Sequence, residues 1–595
     1  MIKNYLTTAI RNLLRYKLFS AINILGLGVG FACCTLILLF VWDELSYDAF
    51  LPDSENIYTV QSTINIPGRA PIESAQSVPA LAAAMAADLP EVENITRLYG
   101  EEGAVKVGDK VFAEQIAYTD RNFLEVIGLP FVLGDAGSAL ADPSGIVLSR
   151  SLAEKYFGDV DPIGKTVSIT RRQEHVYRVS GVFEDLPGNS HFFFSLIAPL
   201  ERGLFNLDSD THFLDRWTQI SIFTYLKLAP NVAAEQVAAR LDEVTDRYFP
   251  GDVAKRLGKS GSELFDFRLL EIRDIHLYGF DRLNQKPAGN IQTVLAFLGL
   301  AGLVLAVAVI NFVNLSTARS TQRAREVAVR KVLGAKRRNL FVQFQGEALL
   351  MTVLAVLVGA VLVELALPYY SAFTERLLSL GALAEPRLMA GLGALVLVVA
   401  IGAGAHPAWI MSGYRPAKTL KANQSAETTG SIRLRSSLVV IQFAVSIALM
   451  ISTIIIYKQT DFARTLDPGF KKEGLLVLRG LGSDALESQT RTFLERLEAL
   501  PSVTGATRSS LAPGDQSESI FSLQAPGDES GDPILVSRTE VDFDFFETYG
   551  IEMAAGRALS PDFGQDIYFE FGAEKARSEA SVVINESAVA RLGFG

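Results

Sequence analysis

The sequence predicts a polytopic α-helical membrane protein that carries α+β domains outside the bilayer. Three observations predict this class. Five long apolar stretches interrupt the chain, at Leu18–Val41, Val294–Val313, Phe341–Leu367, Leu388–Ile410 and Ser436–Tyr457. The segments flanking them alternate between basic and acidic or neutral. Two of those segments, 43–290 and 458–595, are long, acidic and of mixed globular composition. Each apolar stretch is long enough to cover a ~30 Å hydrocarbon core at ~1.5 Å per residue.

The bulk numbers agree. The chain has 595 residues, mean hydropathy +0.25 and 20% charged residues, a mixture of membrane and soluble character. Its net charge is −11, but segments 1–17, 316–340 and 411–435 carry +4, +7 and +4, leaving −26 elsewhere. Short basic loops stay in the cytoplasm. All five spans then give one orientation, with the amino terminus inside and 43–290, 368–387 and 458–595 outside.

Residues 1–17 are read as a basic cytoplasmic start. Leu6, Ile10, Leu13 and Leu14 are spaced for one helical face, with Arg11 and Arg15 near the other, which suggests an interfacial helix. The first span, 18–41, is too long for a cleaved h-region and ends at Trp42-Asp43-Glu44 without a small-x-small site, so it reads as a signal anchor. Within it Gly26 and Gly30 stand at i and i+4, a spacing that permits close helix contact in lipid. The only cysteines, Cys33 and Cys34, are adjacent on that helix and point apart, which makes a disulfide between them implausible.

The first outer domain, 43–290, reads as α+β. Val176–Phe183 alternates as a strand does, Ala80–Ala87 and Ala233–Tyr248 look helical, and Leu186-Pro187-Gly188-Asn189 marks a turn. A second span at 291–315, a basic loop at 316–340, a third span at 341–367, an outer loop at 368–387 and a fourth span at 388–410 follow. A cytoplasmic loop at 411–435, a fifth span at 436–457 and a second outer domain at 458–595 complete the chain. That last domain repeats the first. Phe123-Leu124-Glu125 with Gly128 and Gly134 matches Phe545-Phe546-Glu547 with Gly550 and Gly556 at a constant offset of 422. Val147-Leu148 and Ser151 match Val583-Ile584 and Ser587 at an offset of 436, and the second copy is expected to be incomplete.

In the basic loop, Val329, Val332 and Leu333 fall on one helical face, Glu326 can pair with Arg330 one turn on, and Gly334 is placed to stop the helix. Arg330, Lys331, Lys336, Arg337 and Arg338 offer charge to an acidic partner or to lipid headgroups. The pattern alone fits a docking element and a loop that only fixes topology equally well. The segment Gly158–Thr166 imitates a phosphate-binding loop, but five residues instead of four separate its glycines and Pro162 stiffens it, so a turn into a strand at 166–170 is expected. The five histidines show no metal-ligand spacing, and no catalytic set, cofactor site or nucleic-acid site is expected. Glu347, Glu364 and His406 lie near the ends of spans and read as packing and anchoring groups.

Taken in order, several pieces resemble the MacB/FtsX-like permeases of ABC transporters. They are Ala9-Ile10-Arg11-Asn12-Leu13, Asp43-Glu44-Leu45-Ser46-Tyr47-Asp48, Arg325-Glu326-Val327-Ala328-Val329-Arg330-Lys331-Val332-Leu333-Gly334-Ala335, Arg415-Pro416-Ala417 with Leu420-Lys421, and Gln442-Phe443. The resemblance runs over essentially the whole chain. It implies the duplicated-half type, with eight spans in a full-length protein of which this chain has five. It implies a permease in the bacterial cytoplasmic (inner) membrane with no ATPase domain of its own and no cofactor. The partner it implies is a separate ABC ATPase subunit, a MacB/LolD-like nucleotide-binding protein. Hydrolysis there would move the MacB-like periplasmic core domain at 43–290 and so export or extract a peptide, lipoprotein, toxin or antimicrobial. It implies Arg325, Glu326, Val329, Arg330, Lys331, Val332, Leu333 and Gly334 as the ATPase-coupling segment. A permease dimer or a duplicated-half monomer, a periplasmic adaptor and membrane lipid complete the expected partners. The alternative is an FtsX-like regulatory or sensory protein acting on an extracytoplasmic partner.

Overall fold

The computed structural model describes residues 2–66, 70–170, 174–200, 213–320, 324–374, 376, 378, 381, 385–413, 429–478, 484–513, 519–523, 534–566 and 581–593. The motif pieces Arg415-Pro416-Ala417 and Leu420-Lys421 lie outside the described residues. The chain divides into two compact units, Met1–Ser46 with Gly289–Thr465, and Tyr47–Ala288 with Leu466–Gly595.

The first unit is helical. Five of its helices are long and apolar enough to cross a membrane, at Lys17–Leu45, Ile291–Ser320, Arg337–Thr374, Pro386–Gly413 and Thr429–Thr465. A lipid-spanning segment must satisfy every backbone group internally, which is why these apolar runs fold as unbroken helices. The first span is central. Its Leu27, Phe31 and Cys34 pack with Ala301, Leu305 and Phe312 of the second span, Ala348 and Ala355 of the third, and Val399 and Ala403 of the fourth.

Glycines set the closeness of that packing. A Cβ on Gly30 would stand 2.6 Å from the Ala308 Cβ, and one on Gly26 would stand 3.4 Å from Asn311 Nδ2. Gly28, between these two, faces the third span. Its carbonyl oxygen would lie 3.0 Å from a Cβ on Gly359. The fifth span contacts the second, and none of its apolar window is buried.

The helix ends differ from the hydropathy limits. The first span continues past Val41 through Trp42-Asp43-Glu44 to Leu45, because the two carboxylates are paired within the unit. The third runs through Pro368 to Thr374, although the proline has no N–H to donate and its ring crowds the preceding turn. Residues 43–46 therefore belong to the helical unit and not to the domain that follows.

That domain is α+β, built on an eleven-stranded sheet. Its strands are β1 (Ile57–Ile64), β2 (Ile72–Ser74), β3 (Val92–Val107), β4 (Lys110–Thr119), β5 (Phe131–Leu133), β6 (Gly145–Ser149), β7 (Thr166–Thr170), β8 (Glu174–Phe183), β9 (Leu196–Pro199), β10 (Phe223–Leu228) and β11 (Phe265–Glu271). The order is β11-β1-β10-β3-β4-β9-β6-β8-β5, with β2 on β1 and β7 between β3 and β8. Pairing is antiparallel except for β4–β9 and β6–β8. The sixteen-residue β3 joins both halves, pairing β10 through Leu98 and β7 through Val105.

Alternation along the strands separates the cores. Ala117, Phe223 and Tyr225 enter one with Phe123, Phe183 and Phe192. Ile116 and Tyr118 enter a second with Val167 and Tyr177, and Leu226 a third with Met85 and Phe265. The helix read at Ala233–Tyr248 is two, Ala234–Ala238 and Leu241–Tyr248. At the break, the Arg240 side chain donates to Glu91 at 2.7 Å and to the Asp88 carbonyl at 2.8 Å.

Residues 466–593 carry a β12–β13 pair, Ser519–Leu523 with Ile534–Arg538. Here the repeated motif has the same local geometry as its first copy. Helices Phe123–Ile127 and Phe545–Tyr549 both end on a left-handed glycine, Gly128 at φ 72° and Gly550 at φ 62°.

Candidate coupling site

The connection between the second and third spans contains the helix Ala324–Val332, and Arg325 lies on it. Its stop is a Schellman turn. The Gly334 N–H donates to the Lys331 carbonyl at 3.1 Å and the Ala335 N–H to the Arg330 carbonyl at 3.0 Å, with Gly334 at φ 94°. A left-handed residue is needed there, and glycine takes it without a Cβ penalty.

The helix is anchored on one side and bare on the other. Val327 is buried among Leu340 and Phe344 of the third span and Ala408 and Met411 of the fourth, and Ala328 beside it is buried as well. Val329, Val332 and Leu333 are 49%, 65% and 81% exposed. Lys336, Arg337 and Arg338, just beyond the turn, are exposed as well.

Polar side chains hold the anchor. Arg330 pairs with Glu326 at 2.6 Å and donates from Nη1 to Gln343 Oε1 at 3.0 Å. Gln343 Nε2 donates to Glu347 Oε1 at 3.4 Å, and Asn12 Nδ2 donates to the same oxygen at 2.9 Å. Lys331 Nζ donates to the Ser412 carbonyl at 2.6 Å. Burial, and then the nearby Arg337 charge, push the Lys331 ammonium below the usual lysine range.

The sequence reading named Glu326, Val329, Arg330, Lys331, Val332, Leu333 and Gly334, and these form one compact element. It missed Val327 and Ala328 as the anchor, and the reach of Arg330 to Gln343. One polar residue within the apolar periodicity of the first helix, Asn12, was the available signal for the link to Glu347.

The α+β domain has a buried polar knot of its own. Asp48 takes a left-handed backbone at φ 55°. Its carboxylate accepts from Ser190 Oγ at 2.9 Å and lies 2.8 Å from His191 Nδ1. His191 Nε2 lies 3.0 Å from the Tyr225 hydroxyl, which also accepts from Gln285 Nε2 at 3.3 Å. Lys286 Nζ donates to the Ser190 carbonyl at 2.6 Å. Burial, and then the Asp48 charge, raise the Tyr225 phenol well above its ordinary value. Among the described residues no group of three or more His, Cys, Asp or Glu is placed to hold a metal ion.

Two family models match the chain. The MacB-like periplasmic core domain matches residues 20–244, and the FtsX-like permease C-terminal matches residues 298–416. The chain belongs to the MacB/FtsX-like permease family. In this permease the first match runs from the first span to residue 244, covering ten strands of the sheet and stopping short of β11, and the second runs from within span two through span four with the whole anchored helix between them.

The macrolide export ATP-binding/permease protein MacB of Neisseria gonorrhoeae is 23% identical over 359 residues, 59% of this permease and 51% of that protein. The pyoverdine export ATP-binding/permease protein PvdT of Pseudomonas fluorescens is 25% identical over 282 residues, 46% of this permease and 38% of that protein. The chain thus spans about half the length of the curated relatives it matches or less. The solved periplasmic region of MacB from Actinobacillus actinomycetemcomitans aligns at 20% identity, covering 37% of this permease and 91% of that chain, with TM-score 0.26.

Proposed function

We propose that this chain is the membrane subunit of an ABC-type exporter, and that an ATP-hydrolysing subunit seats on the helix Ala324–Val332. One observation carries the reading. A short helix with a buried heel, Val327 and Ala328, presents an exposed apolar tip, Val329, Val332 and Leu333, beside exposed basic residues. Exposed apolar side chains rimmed by charge mark a contact for another protein.

The buried heel gives the helix mechanical purchase. Val327 bears on the third and fourth spans, so a push on the tip reaches both spans. The charge pattern supports a cytoplasmic position for this helix and the amino terminus and an outer position for the α+β domain, with 43–290 and 458–595 as the extracytoplasmic parts. Two relatives are named for export, of a macrolide and of pyoverdine, which supports an exporter over a purely regulatory protein. The ATPase can be a separate subunit or a further domain, since the relatives combine both activities in one protein.

The test is capture of a purified MacB-like ATPase subunit by the detergent-purified protein. Leu333→Asp with Val332→Asp should abolish capture while the melting temperature stays unchanged. Capture at the parent level would overturn the assignment. Reporter fusions at Gly100 and Lys336 should read outside and inside, and the reverse pattern would overturn the orientation.

A further inference from the structure

The helix Ile2–Arg15 divides its surface three ways. Ala9 is buried, and with Asn12 and Leu13 it faces a small cavity shared with Phe344 and Glu347 of the third span. Ile10 and Leu14, one turn apart, are 45% and 65% exposed, and Leu18 beyond them is 76% exposed. Arg11 and Arg15 occupy the adjoining strip, about 100° further round the helix, and are exposed, as is Lys17. Residues 1–17 contain no acid. An apolar strip beside a basic strip, on a helix packed against a membrane span, matches acyl chains beside anionic headgroups.

The third strip is where this helix meets the candidate coupling site. Glu347 Oε1 accepts from both Asn12 and Gln343, at 2.9 and 3.4 Å. The Gln343 amide also holds Arg330 through its oxygen at 3.0 Å. A shift of the first helix that tightens or loosens Asn12 on that shared oxygen changes the hold of Gln343 on Arg330, and so the seating of the helix Ala324–Val332.

We propose that Arg11, Arg15 and Lys17 form a seat for anionic phospholipid headgroups, and that its occupancy is relayed to the coupling helix through Asn12, Glu347, Gln343 and Arg330. The proposal deepens the functional reading above and rests on it for its meaning, but its test uses no ATPase. Failure of one therefore leaves the other standing.

The experiment uses the full chain carrying Cys33→Ser, Cys34→Ala and Leu333→Cys, in nanodiscs of phosphatidylcholine with or without phosphatidylglycerol. Maleimide reaction at Leu333→Cys should change several-fold when phosphatidylglycerol is added. Arg11→Gln with Arg15→Gln should lower phosphatidylglycerol retention in native mass spectrometry by roughly an order of magnitude, the size expected for two charges at an anionic surface, and should abolish the change at Leu333→Cys. Asn12→Ala should keep the lipid and lose the change. Gln343→Leu, which cuts the same relay at the third span, gives the same reading if Asn12→Ala fails to insert. The proposal is overturned if phosphatidylglycerol leaves the parent rate unchanged, if both relay variants respond as the parent does, or if inorganic phosphate in phosphatidylcholine discs reproduces the change.

Discussion

Arg376 Nη2 donates to Glu44 Oε1 at 2.6 Å, and its Nη1 meets Asp43 Oδ2 at 3.2 Å. The guanidinium that follows the third span thus fastens the end of the first. Glu44 is almost wholly covered, its side chain 5% exposed. Removing Arg376 takes the opposite charge away from a covered carboxylate, a loss of about 3 kcal/mol. Arg376→Ala should lower the melting temperature in detergent, and adding Glu44→Gln should restore part of it. Equal stability of Arg376→Ala and the parent would remove the fastening role.

The two sides of the coupling helix predict opposite outcomes. Val327→Asp buries a charge among Leu340, Phe344 and Ala408 and should cost several kcal/mol, seen as loss of folded protein. Leu333→Asp adds a charge at an exposed site and should stay within about 0.5 kcal/mol of the parent. Thermal unfolding of the two variants in the same detergent decides this.

Glycine substitutions in the spans should sort by neighbour. Gly30→Ala drives a Cβ to 2.6 Å from Ala308 and should cost about 1–3 kcal/mol. Gly299→Ala meets nothing within 4 Å and should be neutral or gain up to about 1 kcal/mol from helix propensity. Similar losses at both positions would show that packing is not what separates them.

Alkaline pH should act on the Asp48 knot through Tyr225. Its folded pKa is raised by burial and by the Asp48 charge, above an unfolded value near ~10. The stabilisation is therefore whole below about pH 10 and is lost as pH climbs toward the raised folded value. Tyr225→Phe should flatten this alkaline decline, at the cost of the contact to His191. An unchanged decline in unfolding followed against pH would place its origin elsewhere.

The spans were legible because lipid demands apolar residues all round a helix over a fixed length. Their ends were not. Asp43 and Glu44 read as a boundary, whereas a pairing with Arg376, far along the chain, lets them stay in the helix. In the coupling helix the Glu326–Arg330 pair and the Gly334 stop were legible because both are local. Which apolar residues turn inward was not, since Val327 and Val332 are chemically alike and only the third and fourth spans distinguish them. Strand β8 announced itself by alternation, but the order of the sheet rests on long-range pairing that no local pattern encodes.

The Asp48 knot also bears on how the chain is assembled. Asp48 follows the end of the first span by three residues, and Gln285 and Lys286 precede the second by a few. All three converge on Ser190, His191 and the Tyr225 hydroxyl that His191 meets. Once that convergence has formed, the entire domain is a cinched loop whose two ends are already together. Docking the second span against the first then carries the closure entropy of a short tether, and lengthening the polypeptide inside the loop leaves that entropy nearly untouched.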